Sequence, residues 1–175
     1  MTMTDTELLT KVKIGLGITG TYQDETLMTY VDEVKHFLID AGVSTDVLNS
    51  SVSVGVIIRG VSDLWNYGMG TAELSTYFIY RALQLKYVVG ELAVESSAGS
   101  EIGTTKITVA DTNALYRYRF DVKLPAYSED LSDWVEWDGI SDIVAENGHK
   151  ICVTEVTSNN LALKAGITTI VTKLG

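Results

Sequence analysis

One cysteine and two histidines are all that 175 residues contain of these types, and each scarcity closes off a class of function. Cys152 alone excludes an intramolecular disulfide and leaves no cysteine framework for a metal. Synthesis in a reducing cytoplasm is the natural reading of such cysteine usage. His36 and His149 are the whole histidine supply, so a Ser/His/Asp or Cys/His apparatus could be assembled only from scattered parts. The chain is therefore expected not to be an enzyme, with no cofactor and no metal. No apolar run reaches the roughly 18 residues that a bilayer crossing needs. Met1 to Thr10 also lack the basic start and apolar core of a secretory leader, so no membrane partner is expected.

Basic residues are outnumbered, 13 against 23 acidic, for a formal charge of −10. Affinity for phosphate backbones comes mainly from Lys and Arg, so duplex clamping and sequence reading are excluded. A channel wall past which DNA slides is a different matter, because attraction there would act as a brake. Solubility alone would also account for the charge. Residues 1–90 carry −4 and residues 91–175 carry −6, so neither half is a basic arm. The 46% hydrophobic content describes a folded, soluble chain rather than a disordered one.

Apolar spacing changes from helical to alternating across the chain. A short helix is expected from a cap at Asp5 or Thr6 to about Ile14. A second is expected from an N-cap at Asp24 to Ala41, with Leu27, Val31, Val34, Leu38 and Ala41 on one stripe. Ser51 to Tyr67 reads as a third, burying Val54, Ile57, Ile58, Val61, Leu64 and Trp65, with Gly55 and Gly60 marking close helix contact. Ala72 to Val89 reads as a fourth, with Leu74, Phe78, Ile79, Ala82, Leu85 and Val89 inward. Beyond them, Lys106–Ala110, Leu115–Val122, Ile151–Val156, Leu161–Lys164 and Thr168–Lys173 alternate as strands. The expected fold is thus α+β in two domains. Residues 1–95 form a small helical bundle, 96–103 a flexible linker, and 104–175 a compact antiparallel β-sandwich or barrel.

Local motifs resolve toward structure. Gly15-Leu16-Gly17-Ile18-Thr19-Gly20 matches the letters of a dinucleotide fingerprint, but a helix precedes it and no helix opens within the glycines, so it reads as a helix stop. His36 lies four residues from Asp32 and from Asp40, a spacing that could tune a base but reads as a solvated helix face with weak i,i+4 pairing. His149, Cys152 and Glu155 are spaced by three, which on a strand sends His149 and Cys152 to opposite faces. Trp134 and Trp137 could form a carbohydrate platform or anchor the core of a small β domain.

The first half resembles the connector (adaptor) family of tailed phages over about residues 6–90. Glu7-Leu8-Leu9, Asp24-Glu25-Thr26-Leu27, and the run from Ala72-Glu73-Leu74 to Leu85 carry this resemblance. It implies a cyclic, often dodecameric ring beneath the portal that passes DNA to the tail, with no catalytic residues to transfer. Implied partners are further copies of itself, the portal protein and a tail completion or stopper protein. DNA would be met only in passage, and the implied location is the virion neck.

The second half resembles the Ig-like β domains appended to phage structural proteins. The carrying residues are Gly103-Thr104-Thr105-Lys106-Ile107-Thr108-Val109, Tyr116-Arg117-Tyr118, Trp134 to Ile143, Val153-Thr154-Glu155-Val156 and Leu163-Lys164-Ala165-Gly166. The alternative expectation is a surface or decoration protein whose β domain binds host glycans or neighbouring capsid and tail proteins.

Overall fold

The computed structural model describes residues 3–67 and 73–175. Contacts within the chain cluster into two compact units, Met1–Val88 and Val89–Gly175.

The first unit is helical: α1 Asp5–Leu16, α2 Asp24–Asp40, α3 Thr45–Leu48, α4 Val54–Tyr67 and α5 Thr76–Leu85. Thr4 caps α1, one or two residues before the expected cap. Its hydroxyl accepts from the Glu7 amide while the Glu7 carboxylate accepts from the Thr4 amide, closing a capping box. Gly17, at φ +67°, stops the helix with its own amide on the Ile14 carbonyl and that of Ile18 on Lys13. Asp24 is the first helical residue of α2 rather than its cap, and its carboxylate accepts from Lys13 Nζ at 2.6 Å. The expected start of the third helix at Ser51 is instead a turn, in which the buried Ser53 hydroxyl donates to the Leu48 and Ser50 carbonyls. Ser75 caps α5 through the Phe78 amide, whereas the expected start at Ala72 lies outside the described residues.

α4 packs on α1, α2 and α5, so it is the middle of this unit. Leu27, Val31, Val34 and Leu38 of α2 are all at most 1% exposed. Each such side chain contributes about 1.5–3 kcal/mol of burial. Ala41, expected on the same stripe, is the half-exposed C-cap. At Gly60 of α4 an added Cβ would lie 2.7 Å from Phe78 Cε2 and 2.8 Å from a Val34 methyl, so glycine sets the spacing of three helices. Gly55 has open space around it.

The second unit holds two sheets. The five-stranded one has the order β1 (Gly90–Glu91), β8 (Ala162–Thr169), β7 (Lys150–Val156), β4 (Leu115–Phe120), β5 (Val135–Trp137). The three-stranded one has the order β2 (Glu95–Ala98), β3 (Thr104–Thr108), β6 (Ile143–Val144). All pairs are antiparallel except β1 with β8, which is parallel, so the expectation of a purely antiparallel domain is corrected. The expected boundaries are corrected as well. Residues 96–103 are not a flexible linker, because Glu95 to Ala98 pair in register with Thr108 to Thr105. The Ser96 and Thr105 hydroxyls hydrogen-bond at 3.0 Å. Residues 90–95, expected in the helical domain, likewise contribute β1 and the first residue of β2 to this unit. Leu161–Lys164 and Thr168–Lys173, expected as two strands, are largely one strand that runs through Gly166. An added Cβ there would sit 2.2 Å from the Leu92 carbonyl oxygen.

Each face of β7 is buried. Ile151 and Val153 join Tyr116, Trp137, Ile107 and Ile143 in one cluster drawn from both sheets. Cys152 and Val156 join Leu131, Trp134, Ala162 and Ala165 in another. Arg117 ties the loop over this second cluster to the sheet, donating to the Trp134 carbonyl at 2.6 Å and to Asn160 Oδ1 at 2.9 Å.

Candidate functional surfaces

In α5, inward positions are met by Phe78, Ala82 and Leu85. The opposite phase presents Tyr77, Tyr80, Leu83 and the following Tyr87, exposed by 62, 64, 49 and 62%. Single exposed apolar side chains are ordinary, whereas several phenols at helical spacing make a face. Cations are set among them. Arg59 lies 6.0 Å from the Tyr77 ring centre, Lys86 6.0 Å from that of Tyr87, and Arg81 donates to Gln84. The inward phase of this helix is legible in the sequence from Phe78, Ala82 and Leu85, whereas the aromatic outer phase follows no core period. Its signal was tyrosine recurring at positions that the core does not need.

The exposed phase of α2 has the opposite character. Glu25, Asp32, Glu33, His36 and Asp40 are open to solvent, and among the described residues Asp32, Glu33 and Asp40 make no ion pair. The one lysine of α2, Lys35, is taken by Asp5 of α1 at 2.8 Å. His36 lies on this solvated face, and its Nδ1 lies 2.8 Å from the Asp32 backbone carbonyl oxygen rather than on a carboxylate.

On the β unit, Asp121 follows β4 at φ +50°, which turns the chain so that its carboxylate reaches the start of β7. It accepts from the Lys150 amide at 3.0 Å and meets His149 Nδ1 at 2.6 Å, while Glu146 lies 3.4 Å from Nε2. The hydrogen bond with Asp121 and its charge hold the imidazole above its ordinary pKa. The same bond, with that from the Lys150 amide, holds the Asp121 carboxyl below its own. His149 and Glu146 edge an open cleft of about 440 Å³ with Phe120, Val144, Ala145 and Gly103. The pairing spans 28 residues, so local spacing carried no sign of it.

His149, Cys152 and Glu155 are not brought together. His149 is at the surface and Cys152 is 1% exposed, its thiol pushed up in pKa by desolvation. Glu155 pairs with Lys164 at 3.6 Å. Trp134 and Trp137 are 8% and 7% exposed and sit in different core clusters. They form no shared carbohydrate platform, because each is packed into its own core cluster. Trp137 Nε1 donates to the Ser141 carbonyl at 2.8 Å, anchoring the turn that the Asp138 carboxylate organises. Hydrogen bonds from the Ser141 hydroxyl and amide and the Ile140 amide bring the Asp138 pKa down to about 2. Among the described residues no cluster of His, Cys, Asp and Glu has a metal-binding arrangement, and no helix is long and apolar enough to cross a membrane.

No family model and no curated protein matches the chain. A crystal structure of domains 7, 8 and 9 of the S-layer protein SbsC matches 45% of this chain at 24% identity and a TM-score of 0.37. The match spans 26% of that chain, and at this score it carries no argument about either unit.

Proposed function

We propose that this chain is a structural subunit of a tailed-phage particle, a head–tail connector that forms a ring beneath the portal and lets DNA pass to the tail. The observation that carries the reading is the placement of the segments that resemble connectors. Glu7-Leu8-Leu9 falls within α1, Asp24-Glu25-Thr26-Leu27 opens α2, and the run ending at Leu85 contains α5. An acidic chain suits a passage that must not hold DNA. The exposed aromatic face of α5 suits a subunit that lives in an assembly. Its partners are further copies, in a dodecamer by the resemblance, with the portal protein above and a completion or stopper protein below. Its place is the virion neck.

The β unit is read here as an Ig-like sandwich that decorates or props the particle. Supporting this are the core cluster that draws on both sheets and the Tyr116 hydroxyl, which donates to the Asp111 carbonyl at 2.6 Å. A tyrosine bonding back to the backbone a few residues upstream is a recurrent fastening in such sandwiches.

Reconstruction of particles carrying the tagged protein tests the proposal. A ring of copies at the portal vertex is the expected outcome, and density confined to the shell or tail tube would sink it.

A further inference from the structure

We propose that the tyrosine–cation face of α5 seats on the acidic outer face of α2 of a second copy of this chain. This deepens the ring reading and rests on it only in taking the occupant to be another copy. The two faces are complementary in charge. α5 contains no acidic residue, and Arg81 and Lys86 lie among its exposed phenols. α2 contains five acidic residues against Lys35, which is already bound to Asp5. Asp24 is bound to Lys13, which leaves Glu25, Asp32, Glu33 and Asp40 outward and uncompensated. Among the described residues no ion pair joins α2 to α5 within one chain, so charges unmatched in one copy are free to match in the next.

Chemistry and area agree with such a contact. Three tyrosines open by about three-fifths present roughly 350–400 Å² of aromatic surface, before Leu83 and the arginine stem are counted. A standard interface takes about 800 Å² per partner, so this face can supply its centre. Tyrosine suits the site, since its ring buries against Phe37 and Ile39, both partly open on α2, while its hydroxyl can donate to a carboxylate. Because two different faces meet, the contact is heterologous and copies add head to tail, the arrangement that closes into rings.

The test uses the full chain in sedimentation velocity. One variant carries Arg81→Glu with Lys86→Glu, and another carries Asp32→Lys with Glu33→Lys. All four side chains are exposed, and circular dichroism checks that both variants fold. Each alone should lose self-association by more than about tenfold, and an equimolar mixture should regain it, since each supplies the face the other has reversed. Tyr80→Ser, which leaves the charges untouched, should weaken association and resist rescue by either partner. Wild-type chain that stays monomeric at the highest attainable concentration overturns the proposal and assigns the face to another protein. Association unchanged by both reversals, or weakened without rescue on mixing, overturns it too. A portal-vertex ring whose neighbours meet through other elements sinks this contact but leaves the ring reading standing. Rescue on mixing in a protein found elsewhere in the particle does the reverse.

Discussion

Asp63, 3% exposed on α4, accepts from both the amide and the hydroxyl of Ser75, at 2.9 and 2.6 Å. Ser75 in turn caps α5, so one carboxylate fixes where the last helix of this unit begins. Arg59 lies 3.3 Å from the other oxygen.

Asp63→Ala should therefore cost about 2–3 kcal/mol, because it leaves the part-buried Ser75 amide and hydroxyl without their charged acceptor. Ser75→Ala should cost nearer 1 kcal/mol, the ordinary loss of a cap. The double variant should cost clearly less than the sum, since both remove the same bond. Urea unfolding of the four proteins checks all three statements.

Two glycines of α4 should respond in opposite directions. Gly60→Ala forces a methyl into Phe78 and Val34 and should destabilise by about 1–3 kcal/mol. Gly55→Ala meets nothing within 4 Å and should stabilise by up to about 1 kcal/mol. The sequence showed both glycines as costly within a helix and offered no means of telling them apart. Only the approach of α2 and α5 does so. The inward stripes of α2 and α5 were legible because the core imposes a period on them. Strands β1, β2, β5 and β6 were not, since two to four residues are too few to show alternation, and pairing across the chain creates them.

The His149–Asp121 pair should give the β unit a stability maximum in mildly acid solution. His149 is held above its ordinary 6.5, so its contribution is complete below that value and is lost as pH rises through the raised one. Asp121 is held below its ordinary 3.8, so its contribution is present above that value and is lost as pH falls through the lowered one. His149→Gln should flatten the alkaline arm and leave other carboxylates to shape the acid one. Denaturation midpoints from about pH 4 to about pH 9 would show it, and an unchanged alkaline arm would refute the assignment.

Arg117→Ala should cost about 2–3 kcal/mol, since the Trp134 carbonyl and Asn160 lose a charged donor. Arg117→Lys should recover little, because one ammonium cannot serve both acceptors at the guanidinium's angles. Tryptophan fluorescence, which reports on Trp134 and Trp137 together, follows the loss.

A fragment of residues 89–175 should keep the two-sheet fold, and one of residues 104–175 should not. The shorter piece lacks β2, which pairs with β3 along its length, and β1, which borders β8. Proteases should spare 94–103 in the native chain. Near-ultraviolet circular dichroism of both fragments decides the matter.

The parallel pairing of Gly90 with Lys164 also sets an order of events during synthesis. The helical unit is compact within residues 1–88, so it can close while the rest is still being made. The β unit cannot, because the strand that opens it waits for the strand that ends it. Until then β1 and Leu92 have no neighbour for their backbone, and a nascent chain stalled before residue 162 carries a finished first half and an open-edged second. Truncation near the C-terminus should accordingly make the chain aggregate through its open second unit, with the helical unit intact.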